Sequence, residues 1–225
     1  RLAVLREVLH RDLTGLQLTL AEHQRVLRAG AVGALHRALE SALPVGHVGG
    51  DAGGAEQHRI DGLTSVDEIS VSGDGSVTAL SRPDTVIASI DLEADHAGPL
   101  LRAGKGAGLL DELGEGSVIA SDTVGGTLLV YSTSPVRLHQ QFPVAPAPWA
   151  VAEDPTRQVV WVASTGTNTI QAYDLGDGVG ILRADIPTVR QPDSLAVTES
   201  GTVVVGSADG AGLHLLRPTL TEPVS

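Results

Sequence analysis

Residues 147–174 read APWAVAEDPTRQVVWVASTGTNTIQAYD. An alternating apolar run meets the turn Asp154-Pro155-Thr156-Arg157. A more apolar run then ends at Ser164, a polar loop with Thr167-Asn168-Thr169 follows, and a third run occupies 170–174. Asp and Pro suit the tight connection, because Pro presets one backbone angle and Asp bonds to nearby amides. Successive side chains of a strand point to opposite faces, so Val159, Trp161 and Ala163 share one face and Val160, Val162 and Ser164 the other. Apolar groups on both faces predict a sheet sandwiched between two neighbours.

The same pattern recurs on either side. Residues 69–81 (ISVSGDGSVTALS), 111–121 (DELGEGSVIAS) and 195–207 (LAVTESGTVVVGS) each read strand, acidic or glycine turn, apolar strand, serine. The turns are Gly73-Asp74-Gly75, Glu115-Gly116 and Glu199-Ser200-Gly201, residue types that tolerate the left-handed backbone of a hairpin. The closing serines, Ser81, Ser121, Ser164 and Ser207, are spaced by 40, 43 and 43 residues. Third strands are expected at 85–91, 127–132, 169–174 and 213–217, and fourth strands at 99–102, 136–142 and 180–186. Four strands in about 40–45 residues is the period of a β-propeller blade. The fold class expected is therefore mainly β: an open, partial β-propeller of about four four-stranded blades, preceded by a short helical segment.

On these residues the chain resembles the YVTN family, the lactonase-like and surface-layer-like β-propellers. Trp161-Val162-Ala163-Ser164 stands at its second strand, Thr167-Asn168-Thr169 at its polar loop and 170–174 at its third strand; residues 192–216 repeat this less closely. The resemblance covers about two-thirds of the chain. It implies a propeller with a binding or lactonase-like role, and it favours an extracytoplasmic setting. The chain departs from it in blade number, four against the usual seven.

Upstream the character differs. Leu2, Leu5, Leu9, Leu13, Leu16, Leu20 and Leu27 recur near the helical period, so 1–44 reads as helix, with 45–65 a Gly-rich linker, 66–217 the propeller and 218–225 a tail. Residues 1–62 lack Lys, Asn, Phe, Tyr and Trp and hold five of the eight histidines. Two readings stay open for them: a helical arm, or GC-rich DNA translated out of frame. The chain starts at Arg1 and has no Met, which reads as a processed or partial product.

Charge narrows the function classes. The net charge is −12, and residues 63–225 carry eight basic against twenty acidic side chains. That balance repels phosphates, so nucleic acid is not an expected partner. No apolar run approaches the roughly 20 residues of a membrane span. With no Cys, thiolate metal sites and cysteine nucleophiles are excluded. Plentiful Ala, Gly, Val and Arg fit a GC-rich bacterial source.

Candidate chemistry concentrates in the loops after the second strands, where Asp84, Asp122, Asn168 and Asp209 form a prospective ligand-binding ring. Their simpler role is to cap turns. Asp91 through His96 alternates carboxylates as a calcium loop does, but His96 replaces the needed glycine and Arg102 the bidentate Glu. Gly104-Lys105-Gly106-Ala107-Gly108 suggests phosphate binding but lacks the Lys-Ser/Thr of a P-loop. His10, His23, His36, His47 and His58 show no metal-ligand spacing, and no G-x-S-x-G elbow marks a hydrolase. No metal or cofactor is expected. Trp149 reads as a plug between blades or a channel-lining residue. The functional expectation is a non-catalytic scaffold for a protein or small-molecule ligand. The alternatives are a lactonase-like or quinoprotein-like enzyme, or a truncated product with no independent function. Open blade edges point to self-association as well.

Overall fold

The computed structural model describes residues 60–221, apart from Glu115 and Asp177. The helical segment expected at 1–44 and most of the linker lie outside them. The described chain forms four antiparallel sheets in sequence order. Blade 1 holds β1 (Glu68–Val71), β2 (Val77–Ser81) and β3 (Val86–Asp91), edged by the short β4 (His96–Ala97) and β5 (Leu101–Arg102). Blade 2 holds β6 (Ala107–Leu113), β7 (Ser117–Asp122), β8 (Thr127–Thr133) and β9 (Val136–Pro143). Blade 3 holds β10 (Pro148–Asp154), β11 (Val159–Ser164), β12 (Thr169–Asp174) and β13 (Ile181–Pro187). Blade 4 holds three strands, β14 (Pro192–Val197), β15 (Val203–Ser207) and β16 (Leu213–Leu216). This is the four-blade β-propeller the repeats predict.

Three apolar seams join the four blades, each built by the alternation of the strands. Leu80 and Ile87 of blade 1 meet Leu110, Val118, Leu129 and Tyr131 of blade 2. From the opposite face of blade 2, Ile119, Leu128 and Val130 meet Val151, Val160 and Val162 of blade 3. Val159, Trp161 and Ala163 then meet Val203 and Val205 of blade 4. Trp161 is fully buried. Burying one such aliphatic side chain contributes about 1.5–3 kcal/mol, so each seam rather than each sheet supplies the core. Among the described residues the seams run in chain order, and no extensive strand packing joins blade 4 to blade 1.

First strands of successive blades lie side by side, β6 beside β10 and β10 beside β14, which places them innermost. Each of β6, β10 and β14 carries a bulge near its start, between Ala107 and Leu110, Pro148 and Ala150, and Pro192 and Ser194. The first hairpin turns close on a left-handed residue at one repeated place, Gly75, Gly116 and Gly201, where blade 3 has Gln158. A bulged strand bends and re-aims a side chain, and here it does so at the mouth of every blade from the second onward.

Candidate functional site

The loops between second and third strands are set by register. Ser81 pairs with Val86, Asp122 with Thr127 and Ser164 with Thr169, each across four residues. Asp122, and not Ser121, is therefore the blade 2 equivalent of Ser81, Ser164 and Ser207. Ser121 sits one residue earlier, where its hydroxyl donates to the Trp149 carbonyl (2.6 Å) and accepts from the Leu109 amide (3.0 Å). It thus ties the mouths of blades 2 and 3 together.

The same register shows that Asp84, Asp122, Asn168 and Asp209 do not share one repeat position. Asn168 matches Thr85 and Gly126, each in the left-handed conformation, and Asp84 stands one residue before that place. Asn168 Oδ1 accepts from the Gln191 amide (2.8 Å) and so fixes the entry to blade 4. Asp84 accepts a long bond from the Ser81 hydroxyl (3.4 Å). Asp209 accepts from the Ser207 hydroxyl (2.6 Å) and the Ala211 amide (3.2 Å) and pairs with Arg190 (3.3 Å). The Ser207 bond chiefly holds its carboxyl below the usual carboxylate range.

Asp122 is 2% exposed and accepts three amide bonds, from Lys105 (3.0 Å), Gly106 (2.9 Å) and Gly125 (2.8 Å). A Cβ at Gly104 would lie 2.3 Å from its Cγ, and one at Gly125 2.0 Å from its Oδ2. The glycine run that resembles a phosphate loop is an anion cradle occupied by the chain's own carboxylate. Glycines are required because backbone must close directly on that side chain.

Arg82 is the hub of this rim. Its guanidinium pairs with Glu68 of blade 1, donates to the Gly108 carbonyl of blade 2 (2.9 Å) and lies 5.8 Å from the ring centroid of Trp149 in blade 3. One side chain thereby spans three blades. Trp149, at the blade 3 bulge, is partly buried against the third seam. It serves both as packing and as the surface under a cation.

The opposite end of the first strands holds a second acidic group that the sequence reading did not single out. Asp111 and Glu112 lie on β6 and Glu153 on β10. Asp111 Oδ2 accepts from the Glu153 amide (3.3 Å), across the seam between blades 2 and 3. Glu112 Oε1 accepts from the Gly73 amide (2.7 Å), across the seam between blades 1 and 2. Burial pushes the Asp111 carboxyl up to about 7, against the pull of two backbone bonds, and the charges of Glu153 and Glu112 add to the rise. Glu153 is raised too, mainly by burial. A carboxyl that titrates near neutrality suits proton transfer. The available signal was two acids in line with the apolar first strand of the repeat.

Beside them Asp154, with no exposed surface, accepts from Trp161 Nε1 (3.1 Å) and pairs with Arg157 (2.7 Å). Arg157 also donates to the Gly201 carbonyl (2.8 Å), so the Asp-Pro turn anchors blade 3 to blade 4. Asp91 of the calcium-like stretch accepts from the Glu93 and Ala94 amides, and the Ala94 bond chiefly lowers its carboxyl. These contacts are those of a turn. His96, His139 and His214 lie in three different blades, and the other five histidines fall outside the described residues. Among the described residues no cluster of His, Asp and Glu has metal-binding geometry, and no helix is long and apolar enough to cross a membrane.

No family model matches the chain, and no curated protein matches its sequence. Solved structures do resemble it. One is a mitotic checkpoint complex chain, 11% identical with a TM-score of 0.64, covering 71% of this chain and 51% of its own. Another is hydrazine synthase of Kuenenia stuttgartiensis, 13% identical with a TM-score of 0.56, covering 69% of this chain and 59% of its own. A streptogramin B lyase, 13% identical with a TM-score of 0.57, covers 70% and 54% respectively. The chain thus spans 51–59% of the length of these structures. At such identities the likeness establishes the propeller fold, and fold alone does not assign activity.

Proposed function

We propose that the chain is a non-catalytic β-propeller scaffold of the YVTN, lactonase-like type, and that it receives a protein or small molecule on its loop face. The observation that carries this reading is Arg82, whose contacts hold three blades together at one mouth. A rim fixed before the ligand arrives costs little ordering on binding. Asp84, Asn168 and Asp209 supply acceptors around that rim, and Asp122 sets the loop from inside. The two tryptophans provide the test, since Trp149 lies at the rim and Trp161 is fully buried. A small-molecule library is screened by thermal shift, and each hit is titrated by tryptophan fluorescence. Hits whose signal disappears in Trp149→Phe and whose affinity falls about tenfold in Asp84→Asn or Asp209→Asn support the loop face. Hits indifferent to all three substitutions contradict it.

One observation favours a second reading, a lactonase-like or quinoprotein-like enzyme: the Asp111 carboxyl, raised beside Glu153. This reading requires turnover that rises or falls with a pKa near 7 and vanishes in Asp111→Asn. Lactone hydrolysis unchanged by that substitution would exclude Asp111 as its acid or base.

A further inference from the structure

Ser72 Oγ and Thr78 Oγ1 are buried, the residues being 3% and 0% exposed, and neither meets a hydrogen-bond partner. Most buried hydroxyls are satisfied, so two in one seam need an account. Ser70 pairs with Thr78 and Glu68 with Leu80. Alternation therefore puts Ser70, Ser72 and Thr78 on the face that carries Leu80, toward blade 2. The Ser72 amide donates to the Ser76 carbonyl (2.9 Å), so Ser72 and Thr78 stand diagonally on neighbouring strands, within reach of one shared contact. Glu112 faces them from blade 2, since it pairs with Val118 of the same seam. It accepts the Gly73 amide, next to Ser72 (2.7 Å), and a carboxylate keeps further lone pairs beyond that bond. Three residues before the end of the second strand, where blade 1 has Thr78, blades 2, 3 and 4 carry Ile119, Trp161 and Val204. Blade 1 is thus polar at a place the other blades fill with apolar side chains.

We propose that Ser72, Thr78 and Glu112 bind a compact monovalent cation between blades 1 and 2, an alkali ion or an ammonium group. A hydroxyl offers lone pairs to a cation without losing its proton, and two unpartnered hydroxyls beside a carboxylate make three acceptors. The single carboxylate matches a single positive charge, whereas calcium and magnesium are held by more oxygen ligands and more negative charge. Glu112 also belongs to the acidic end of the first strands, where its charge adds to the raised carboxyls of Asp111 and Glu153. A cation in the seam offsets that repulsion, which an uncharged occupant does not. The site lies at the end of the blades opposite the Arg82 rim, and it stands whether or not the rim receives a ligand.

Thermal unfolding of the full chain is followed in sodium, potassium, ammonium, methylammonium and tetramethylammonium chlorides at equal ionic strength. Tetramethylammonium screens charge alike but has no N–H and is too large for the seam. The midpoint is expected to climb in at least one compact cation, by about 4 °C for each tenfold excess over the dissociation constant. A response to ammonium and methylammonium identifies the amine head of a ligand, and one to sodium or potassium alone identifies a free ion. Thr78→Val, Ser72→Ala and Glu112→Gln should each abolish the response. The first two remove hydroxyls that bond to no protein group, so in tetramethylammonium they should be neutral or stabilising. Equal midpoints in every salt would overturn the proposal, as would a cation response that survives all of these substitutions. A loss in Thr78→Val of the same size in every salt would assign the hydroxyl to an ordered water, and counts equally against it.

Discussion

Blade 2 encloses two carboxylates, Asp122 and Asp111, at opposite ends, and treats them oppositely. Asp122 meets three backbone amides held by glycines cut back to let it in. Asp111 is pushed up to about 7, mainly by burial, and the charges of Glu153 and Glu112 add to the rise. The two enclosures differ in what lines them: three amide donors replace the water lost at Asp122, whereas the backbone bonds at Asp111 do not offset its burial. One end of the blade is therefore fixed by its carboxylate, and the other carries a strain that depends on pH.

The largest effect is expected at Asp122. Asp122→Ala leaves three amides without an acceptor and should cost about 3 kcal/mol in urea-induced unfolding. Asp122→Asn, which keeps one accepting oxygen, should cost less. Equal and negligible losses would show that the cradle is not structural.

Asp111 sharpens the contrast by changing sign. Its carboxyl holds a proton to about pH 7 when folded, against a value near 3.8 when free, so folding takes up a proton between those limits. Its contribution therefore becomes less favourable as pH rises from about 4 to 7 and stays so above. Asp111→Asn should be stabilising by about 2 kcal/mol at pH 8 and nearly neutral at pH 4. Destabilisation at pH 8 would mean that the neighbouring charges are relieved in another way.

Arg82→Ala removes an ion pair, a carbonyl bond and a cation over Trp149. A cost of about 1 kcal/mol is expected, accompanied by a shift in Trp149 emission. At the small end, Gln158 holds a left-handed angle of 55° where the other blades have Gly. Gln158→Gly should gain up to about 1 kcal/mol in the same unfolding measurement. A loss there would assign Gln158 a contact worth more than its backbone strain.

Much of the fold was legible because the repeat writes each blade twice, once in period-two alternation and once in its turn residues. Third strands at 127–132 and 169–174 lie within β8 and β12, and the turns fall where Gly75, Gly116 and Gly201 adopt positive angles. The blade 2 alignment slipped by one residue because Ser121 copies the chemistry of Ser81 and Ser164 while Asp122 copies their register. Leaving four residues between the closing residue and Thr127, as between Ser164 and Thr169, would have corrected it. The site was less legible. Bulges leave no compositional mark, so nothing in Pro148-Trp149 says that the ring meets an arginine two blades away. The glycines around Asp122 look like a loop for an external anion, since sequence cannot tell whose carboxylate fills it.

Single-amide hydrogen exchange by NMR tests the contrast most directly. Lys105, Gly106 and Gly125 lie in Gly-rich loops, yet their amides should exchange slowly, in company with those of β7 and β11. Exchange of these three at the rate of an unstructured chain, while β11 stays protected, would contradict the cradle, and rapid exchange of β11 itself would contradict the propeller.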